Sequence, residues 1–151
     1  MSTKNFDEPF IIKGGLSVDD RGEVLFVNDF NFNEIRRFYT IKNHNINFVR
    51  AWHGHKIEQK YITVNSGTIM VCCVKIDNWE TPSAKLFIHK FFLSDKNPSV
   101  LFIPNGYANG FMSLTNADIV SIYSNLTLEQ SINDDFRFPS RFWNPWEIVE
   151  R

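Results

Sequence analysis

Short runs rich in Val, Ile, Phe and Tyr recur along the chain between clusters of turn-forming residues, and few windows hold a helical period for long. The pattern predicts strands at 24–28, 37–41, 47–53, 60–65, 68–76, 85–93, 99–103, 110–113 and 119–124. The punctuation between them is equally legible. Asn65-Ser66-Gly67 is expected to close a hairpin, 77–83 and 94–98 to form loops, and Thr115-Asn116 to make a tight connection. Single helical turns are expected at 31–34 and 126–133, and no repeat, linker or low-complexity stretch interrupts the cadence. This is the rhythm of an antiparallel barrel or sandwich, and one all-β jelly roll accounts for residues 1–151 as a single domain.

Composition sharpens that picture. A chain of 151 residues suits one domain with a sizeable core. Fifteen Phe, four Trp and four Tyr against only seven Gly and six Pro argue for packed strands over a loop-rich chain. The formal charge of −1 supplies no general field for a nucleic-acid backbone or an anionic membrane, so neither is expected as a partner. Residues 1–9 are polar and lack the apolar stretch of a signal peptide, and no later run approaches a membrane span; a cytoplasmic location is expected. Cys72 and Cys73 are adjacent, so in a strand they face opposite sides and read as fillers, not as a disulfide. Asn125-Leu126-Thr127 matches a glycosylation acceptor that has no use without secretion.

The candidate chemistry centres on Arg50-Ala51-Trp52-His53-Gly54-His55-Lys56. In an extended segment His53 and His55 point to one face, where a group titrating near neutrality suits proton transfer. His44 and His89 lack such company and read as structural. Lys60 opens an apolar strand; it is either a solvated edge charge or an inward ammonium that stabilises an enolate oxygen beside His53. Tyr123 and Ser121 share one strand face, and Tyr39 and Arg37 share another. Each Tyr is either core packing or a second proton-transfer group opposite the His. Arg50, and Arg21 in the turn Asp20-Arg21-Gly22, can each be a solvated surface charge or part of a pyrophosphate clamp. The closing aromatic segment, 134–146, is expected to pack across the barrel or a partner subunit.

These runs resemble the two half-motifs of a cupin barrel: His53-Gly54-His55 leading to Gly67, then Pro104-Asn105-Gly106-Tyr107-Ala108-Asn109. Where metal-binding cupins carry a Glu and a later His, this chain has Lys60 and Asn109. Replacing a carboxylate by an ammonium leaves too few donors and adds repulsion, so a metal-free pocket with no cofactor is expected. A metal-dependent cupin would have to hold its metal through dialysis.

Within the cupins the chain resembles the nucleotide-sugar branch, the dTDP-4-dehydrorhamnose 3,5-epimerases and the related 3,4-ketoisomerases, over most of its length. Asp19-Asp20-Arg21-Gly22, Arg50 to His53, Lys60 and the run from Ile103 to Phe111 resemble the epimerases' motifs. Arg50 to Lys56 and Tyr39 resemble those of the ketoisomerases. The resemblance implies metal-independent inversion at C3, C5 or both of a nucleotide-linked 4-keto-6-deoxyhexose, serving surface polysaccharide of the O-antigen type. It assigns His53 as base, Lys60 as enolate stabiliser and Tyr123 as acid, with Arg21, Arg50, His55, Tyr39 and Asn109 binding substrate. It further implies a dTDP-linked substrate and a homodimer in which Arg21 serves the neighbouring subunit. The chain departs from the epimerases at Ala51, Trp52 and Asn109, and Tyr123 aligns only with an insertion that otherwise puts Ser121 there. The late Asp that pairs their base has Asp134, Asp135 or Glu147 as substitutes. The alternatives are a 3,4-ketoisomerase and a non-catalytic sugar-binding cupin.

Overall fold

The structure is a computed structural model and describes residues 6–147 and 150–151. Two five-stranded antiparallel sheets face each other. The first has β1 (Phe10–Lys13), β9 (Ser99–Ile103), β6 (Lys60–Ser66), β11 (Ile119–Ser124) and β4 (Arg37–Lys42), in that order. The second runs β12 (Phe136–Arg137), β5 (Val49–His55), β10 (Tyr107–Ser113), β7 (Thr68–Lys75) and β8 (Ile88–Ser94). A separate ribbon pairs β2 (Gly15–Asp19) with β3 (Gly22–Phe26), and one short helix, α1 (Leu128–Ile132), follows β11. The all-β architecture expected from the strand cadence is present.

Strand alternation builds the core. Ile62 and Val64 of β6, Leu101 and Ile103 of β9, and Val120 and Ile122 of β11 point at Ile69, Val71 and Cys73 of β7 and Phe111 of β10. Every residue of β7 before Lys75 is at least half-buried, because its other face is covered too. Met70, Cys72 and Val74 lie under a layer formed by Trp52, Trp143 and Trp146. The closing segment thus packs across the outside of the second sheet. Its indoles find acceptors: Trp52 Nε1 donates to the Ser140 and Trp143 carbonyls, both at 3.1 Å, and Trp143 Nε1 donates to the Ser83 carbonyl at 2.9 Å. A buried indole N–H left without a partner is costly, so these bonds fix where the segment can sit. Cys72 and Cys73 face opposite layers as the alternation requires, and burial raises both thiols, Cys72 to about 12, which leaves them unreactive.

Several boundaries differ from the sequence expectation. β6 and β7 do not form a hairpin: Gly67 carries the chain from one sheet to the other. Its φ of +89° and a Cβ position that would fall 2.2 Å from Asp118 Oδ1 both demand glycine there. The same crossing recurs at β4–β5, β5–β6, β8–β9, β9–β10 and β10–β11, so most sequence neighbours are not sheet neighbours. β12 is too short to show a period, and β1 and β2 also escape the sequence pattern. Residues 33–34 form a plain turn and no helix. The turn expected at 126–133 is α1, held by a capping box in which Thr127 and Gln130 exchange hydrogen bonds.

At Gly110 the register of β10 against β5 shifts. A Cβ there would sit 2.5 Å from the Ala51 Cβ, so close approach of the two strands depends on glycine. That bulge lies between Asn109 and Phe111, both of which face the cavity described next.

Candidate active site

Between the sheets, at the end where β5 and β6 meet α1, lies a cavity of about 290 Å³. The first sheet contributes Arg37 and Tyr39 from β4, Lys60 from β6 and Ile122 from β11. The second contributes Arg50, His53 and His55 from β5, with Asn109 and Phe111 from β10. Glu58, from the bend between β5 and β6, and Ser131, Asp135 and Arg137 close the remaining side. The period of two along β5 puts His53 and His55 on one face, and the register shift against β10, where the three steps from Arg50 to His53 match two from Phe111 to Asn109, brings Arg50 to the same cavity.

His53 lies between Asn109 of β10 and Arg137 of β12 as cross-strand partners. Asn109 Nδ2 donates to the His53 carbonyl at 3.3 Å, so it steadies the backbone beneath the ring. Burial, then the positive charges of Arg137 and Lys60, push the imidazole down to about 4. The ring is neutral at physiological pH and free to accept a proton.

His55 is more deeply buried, at 5% exposure. Its Nδ1 stands 2.6 Å from the Asp134 carbonyl and 3.1 Å from Glu58 Oε2. Both are acceptors, so Nδ1 carries the hydrogen and Nε2 carries the lone pair. Nε2 is buried and has no partner among the described residues. Burial and then the Lys60 charge lower the pKa of this ring, while Glu58 opposes the shift.

Glu58 is 1% exposed and its carboxylate is fully engaged. Oε1 accepts from Ser124 Oγ at 2.5 Å and from the Arg37 guanidinium at 3.2 Å; Oε2 accepts from Ser131 Oγ at 3.1 Å. Arg37 also donates to Ser131 at 2.9 Å and stacks over Tyr39 at 5.0 Å. The Asp134 carboxylate takes three backbone N–H bonds, from Lys56, Ile57 and Glu58 at 2.7–2.9 Å. That knot holds the bend which brings Glu58 back under His55.

Lys60 is 7% exposed and lines the cavity from a strand in the middle of its sheet, so the solvated-edge alternative does not apply. Arg50 sits at the cavity mouth with Nε held by Asn43 Oδ1 at 2.7 Å, leaving the rest of its guanidinium exposed. Asp135 faces the cavity paired with Arg137 at 2.8 Å, which holds its carboxyl below the usual range. Of the three late acids, Asp135 lines the site, Asp134 anchors the backbone, and Glu147 accepts from Asn144 elsewhere.

Two expected residues are not brought to the cavity. Tyr123 occupies the opposite face of β11 from Ile122 and packs against Phe30, Phe32 and Phe38 at 5.6–5.7 Å. Ser121 shares that outer face and donates to Asn65. The parity of the strand excludes both from the site, whereas Tyr39, on β4, faces inward. Arg21 projects from the β2–β3 ribbon, fully exposed and paired with Asp19 at 2.5 Å, and does not line this chain's cavity. Sequence reasoning passes over Glu58 and Arg137. The alternation Asp135-Phe136-Arg137-Phe138 carried a signal for the second, since polar and aromatic residues alternate as on a strand. Glu58 carried none, because its inward aim depends on the bend that Asp134 ties.

The donor set does not suit a metal. Among the described residues no three His, Cys, Asp or Glu side chains form such a cluster, and the His55 Nδ1 is committed to a carbonyl.

A family model described as dTDP-4-dehydrorhamnose 3,5-epimerase matches residues 4–133. Among curated proteins none matches significantly. The dTDP-4-dehydrorhamnose 3,5-epimerase of Bacillus anthracis, solved with TDP and pyrophosphate bound, superposes with a TM-score of 0.76 at 20% identity, covering 99% of this chain and 90% of that one. The epimerase of Legionella pneumophila in complex with dTDP-4-keto-L-rhamnose gives 0.74 at 18% identity, over 96% and 81%. QdtA, a sugar 3,4-ketoisomerase of Thermoanaerobacterium thermosaccharolyticum in complex with TDP, gives 0.67 at 17% identity, over 89% and 91%.

Proposed function

Because the chain belongs to the dTDP-4-dehydrorhamnose 3,5-epimerase family, we propose that it inverts C3, C5 or both of a dTDP-linked 4-keto-6-deoxyhexose without a metal. It is an isomerase acting on carbohydrates. The observation that carries the finer reading is the disposition of the groups: His53 stands on one sheet, and Tyr39 and Lys60 on the facing sheet, around a single cavity. Inversion requires a base and an acid on opposite faces of the carbon.

In this reading the neutral His53 takes the proton beside the C4 ketone, and the electron pair moves onto the ketone oxygen. The Lys60 ammonium stabilises that enolate in a site largely closed to water. Tyr39 then returns a proton to the carbon from the other face, the role the resemblance had assigned to Tyr123. Protonated His53 and the tyrosinate reset through solvent. Arg50 at the mouth suits the pyrophosphate, and the TDP held by the Bacillus anthracis and Thermoanaerobacterium thermosaccharolyticum proteins supports a dTDP-linked substrate. The activated deoxysugar would be used in the cytoplasm for surface polysaccharide of the O-antigen type.

A second reading, 3,4-ketoisomerisation, is favoured by one observation: His55 lies beside His53 with its Nε2 unpartnered, while Tyr123 lies outside. Incubation in deuterium oxide with dTDP-linked 4-keto-6-deoxyhexoses, followed by mass and proton NMR, tests both. Deuterium at C3 or C5 with the ketone still at C4 is the expected result. A ketone moved to C3 establishes the isomerase instead, and no exchange with binding retained overturns catalysis on these sugars.

The tyrosines separate cleanly. Tyr39→Phe is expected to lower the inversion rate on the order of 10²-fold. It leaves deuterium exchange without inversion, since His53 still removes and returns a proton on its own face. Tyr123→Phe is expected to stay within about 2-fold of the parent, because removing a hydroxyl outside the cavity touches no reacting atom. The same NMR assay reads both, and equal losses would contradict the assignment.

We also propose a homodimer. The ribbon exposes Leu16, Val18, Val24 and Leu25, and on the outer side of the first sheet Phe32 and Phe38, packed on Tyr123, are 60% and 66% exposed. An apolar face of this kind fits a second copy, which would receive Arg21 at its own cavity mouth. Val24→Asp is expected to convert a dimer into a monomer by sedimentation and to weaken TDP binding. A parent protein sedimenting as a monomer would exclude the arrangement.

A further inference from the structure

We infer that Glu58 is a positioning residue for His55: the Asp134 carbonyl fixes which ring nitrogen holds the hydrogen, and the Glu58 carboxylate stabilises the imidazolium that forms when Nε2 takes a proton. The kinetic part of this inference rests on the ketoisomerase reading above, in which His55 joins His53 in proton transfer; the geometry does not. Glu58 is not among the residues that the family resemblance assigns.

The physical case begins with burial. A carboxylate at 1% exposure is costly unless it is paired and hydrogen-bonded. Glu58 meets that cost through Ser124, Ser131 and Arg37, and one of its oxygens is turned to the imidazole at 3.1 Å. The same arrangement orients and charges a histidine wherever a carboxylate backs the ring, as in the second layer of many catalytic and metal sites. Here the two tasks are divided. The Asp134 carbonyl, at 2.6 Å, sets the Nδ1–H tautomer and, as a neutral dipole, favours the cationic ring less than the Glu58 charge does. Glu58 supplies the full charge. Nε2 is thereby left as a lone pair at the cavity wall with no partner among the described residues, and a ligand hydroxyl or an acidic C–H is the group it can receive.

The ring's other charged neighbours oppose or balance this effect. Lys60 from β6 disfavours the imidazolium most, and His53 lies two residues away on the same strand. Arg37 from β4 reaches the ring only through Glu58, to which it is bonded. Asp134 and Asp135, after α1, carry negative charge nearby, the first spent on three backbone N–H groups. Tyr107 is the cross-strand partner on β10, and burial raises its hydroxyl to about 12, so it does not titrate with the ring. With Lys60 disfavouring a charged His55, Glu58 is the close carboxylate that allows it.

The test is Glu58→Gln, which keeps the shape and one acceptor oxygen and removes the charge. Nitrogen-15 NMR of labelled protein follows His55 and His53 separately across pH, without any need for turnover. The expected result is an Nδ1–H tautomer in both proteins and a His55 midpoint lowered by about one unit or more in the variant, a tenfold loss of proton affinity. His53 is expected to shift by much less. In the isomerase assay kcat is expected to fall about 10-fold or more with KM for the nucleotide sugar little changed, as for other residues that act through a catalytic ring. Should the variant fail to fold, Glu58→Asp withdraws the carboxylate by one methylene and is expected to give a smaller downward shift of the same midpoint. An unmoved His55 midpoint in whichever variant folds overturns the inference. A moved midpoint with kcat unchanged overturns its catalytic part, and a shifted midpoint in a protein that turns over none of the tested sugars upholds the positioning while sinking the proposed substrate class.

Discussion

Substituting His53 by alanine is expected to abolish both solvent exchange and turnover, by on the order of 10³-fold or more, with TDP affinity preserved. The ring lines the cavity, is neutral near pH 7 and is the base in the proposed chemistry, in which Arg50 at the mouth takes the nucleotide. Calorimetric titration with TDP, beside the deuterium assay, separates the two effects. Retained exchange in His53→Ala would move the base to His55. The depressed pKa adds a second readout. A base with a pKa of about 4 keeps kcat/KM flat down to roughly pH 5 and gives an acid limb near 4. The sign for stability follows from proton counting. Between about 4 and 6.5 the unfolded chain binds a proton at this site and the folded chain does not, so stability falls as pH drops through that window. Chemical denaturation at pH 7 and 4.5 should show a smaller loss in His53→Ala than in the parent.

Lys60→Met is expected to reduce kcat on the order of 10²- to 10³-fold, the scale seen when a preorganised group facing a developing oxyanion is removed. Its effect on stability should run the other way. A buried ammonium among Arg37, Arg137 and two imidazoles carries a desolvation penalty, and methionine fills similar volume without one. The variant is therefore expected to melt at the same temperature as the parent or above it. Lys60 is also among the charges that hold down His53 and His55, so the acid limb should move to higher pH when it is gone. Thermal melts and a pH profile check both statements, and a destabilised, fully active Lys60→Met would place this residue in packing instead of catalysis.

The strands at 99–103 and 119–124 match β9 and β11 to the residue, and β4, β6 and β7 differ by one residue at one end. Each is bounded by polar turn residues and carries apolar side chains that only a buried strand face accommodates. β12 was invisible because a strand of two residues has no period. The Gly67 turn was recognised, yet its consequence was misread. A turn needs only local φ and ψ, while the choice between a hairpin and a crossing to the facing sheet depends on what β6 and β7 pair with elsewhere. His53, His55, Lys60, Arg50, Tyr39 and Asn109 all reach the cavity: strand alternation sets the inward aim of five, while Arg50, three residues before His53, depends on the register shift between β5 and β10. Tyr123 failed by one step of parity on β11, where Ile122 takes the inward position and leaves the tyrosine among Phe30, Phe32 and Phe38.

What the sequence determined alone was therefore everything carried by local period and residue type: the β class, most strands, the pairing of two imidazoles on one face, and the motifs that mark the family. Three matters belonged to the tertiary structure, namely which face of each strand looks inward, how Asp134 folds the chain back to set Glu58 beneath His55, and how three tryptophans seal the outer sheet. Each of these depends on contacts between residues far apart in the chain, where burial and hydrogen-bond satisfaction decide the outcome and local propensity is silent.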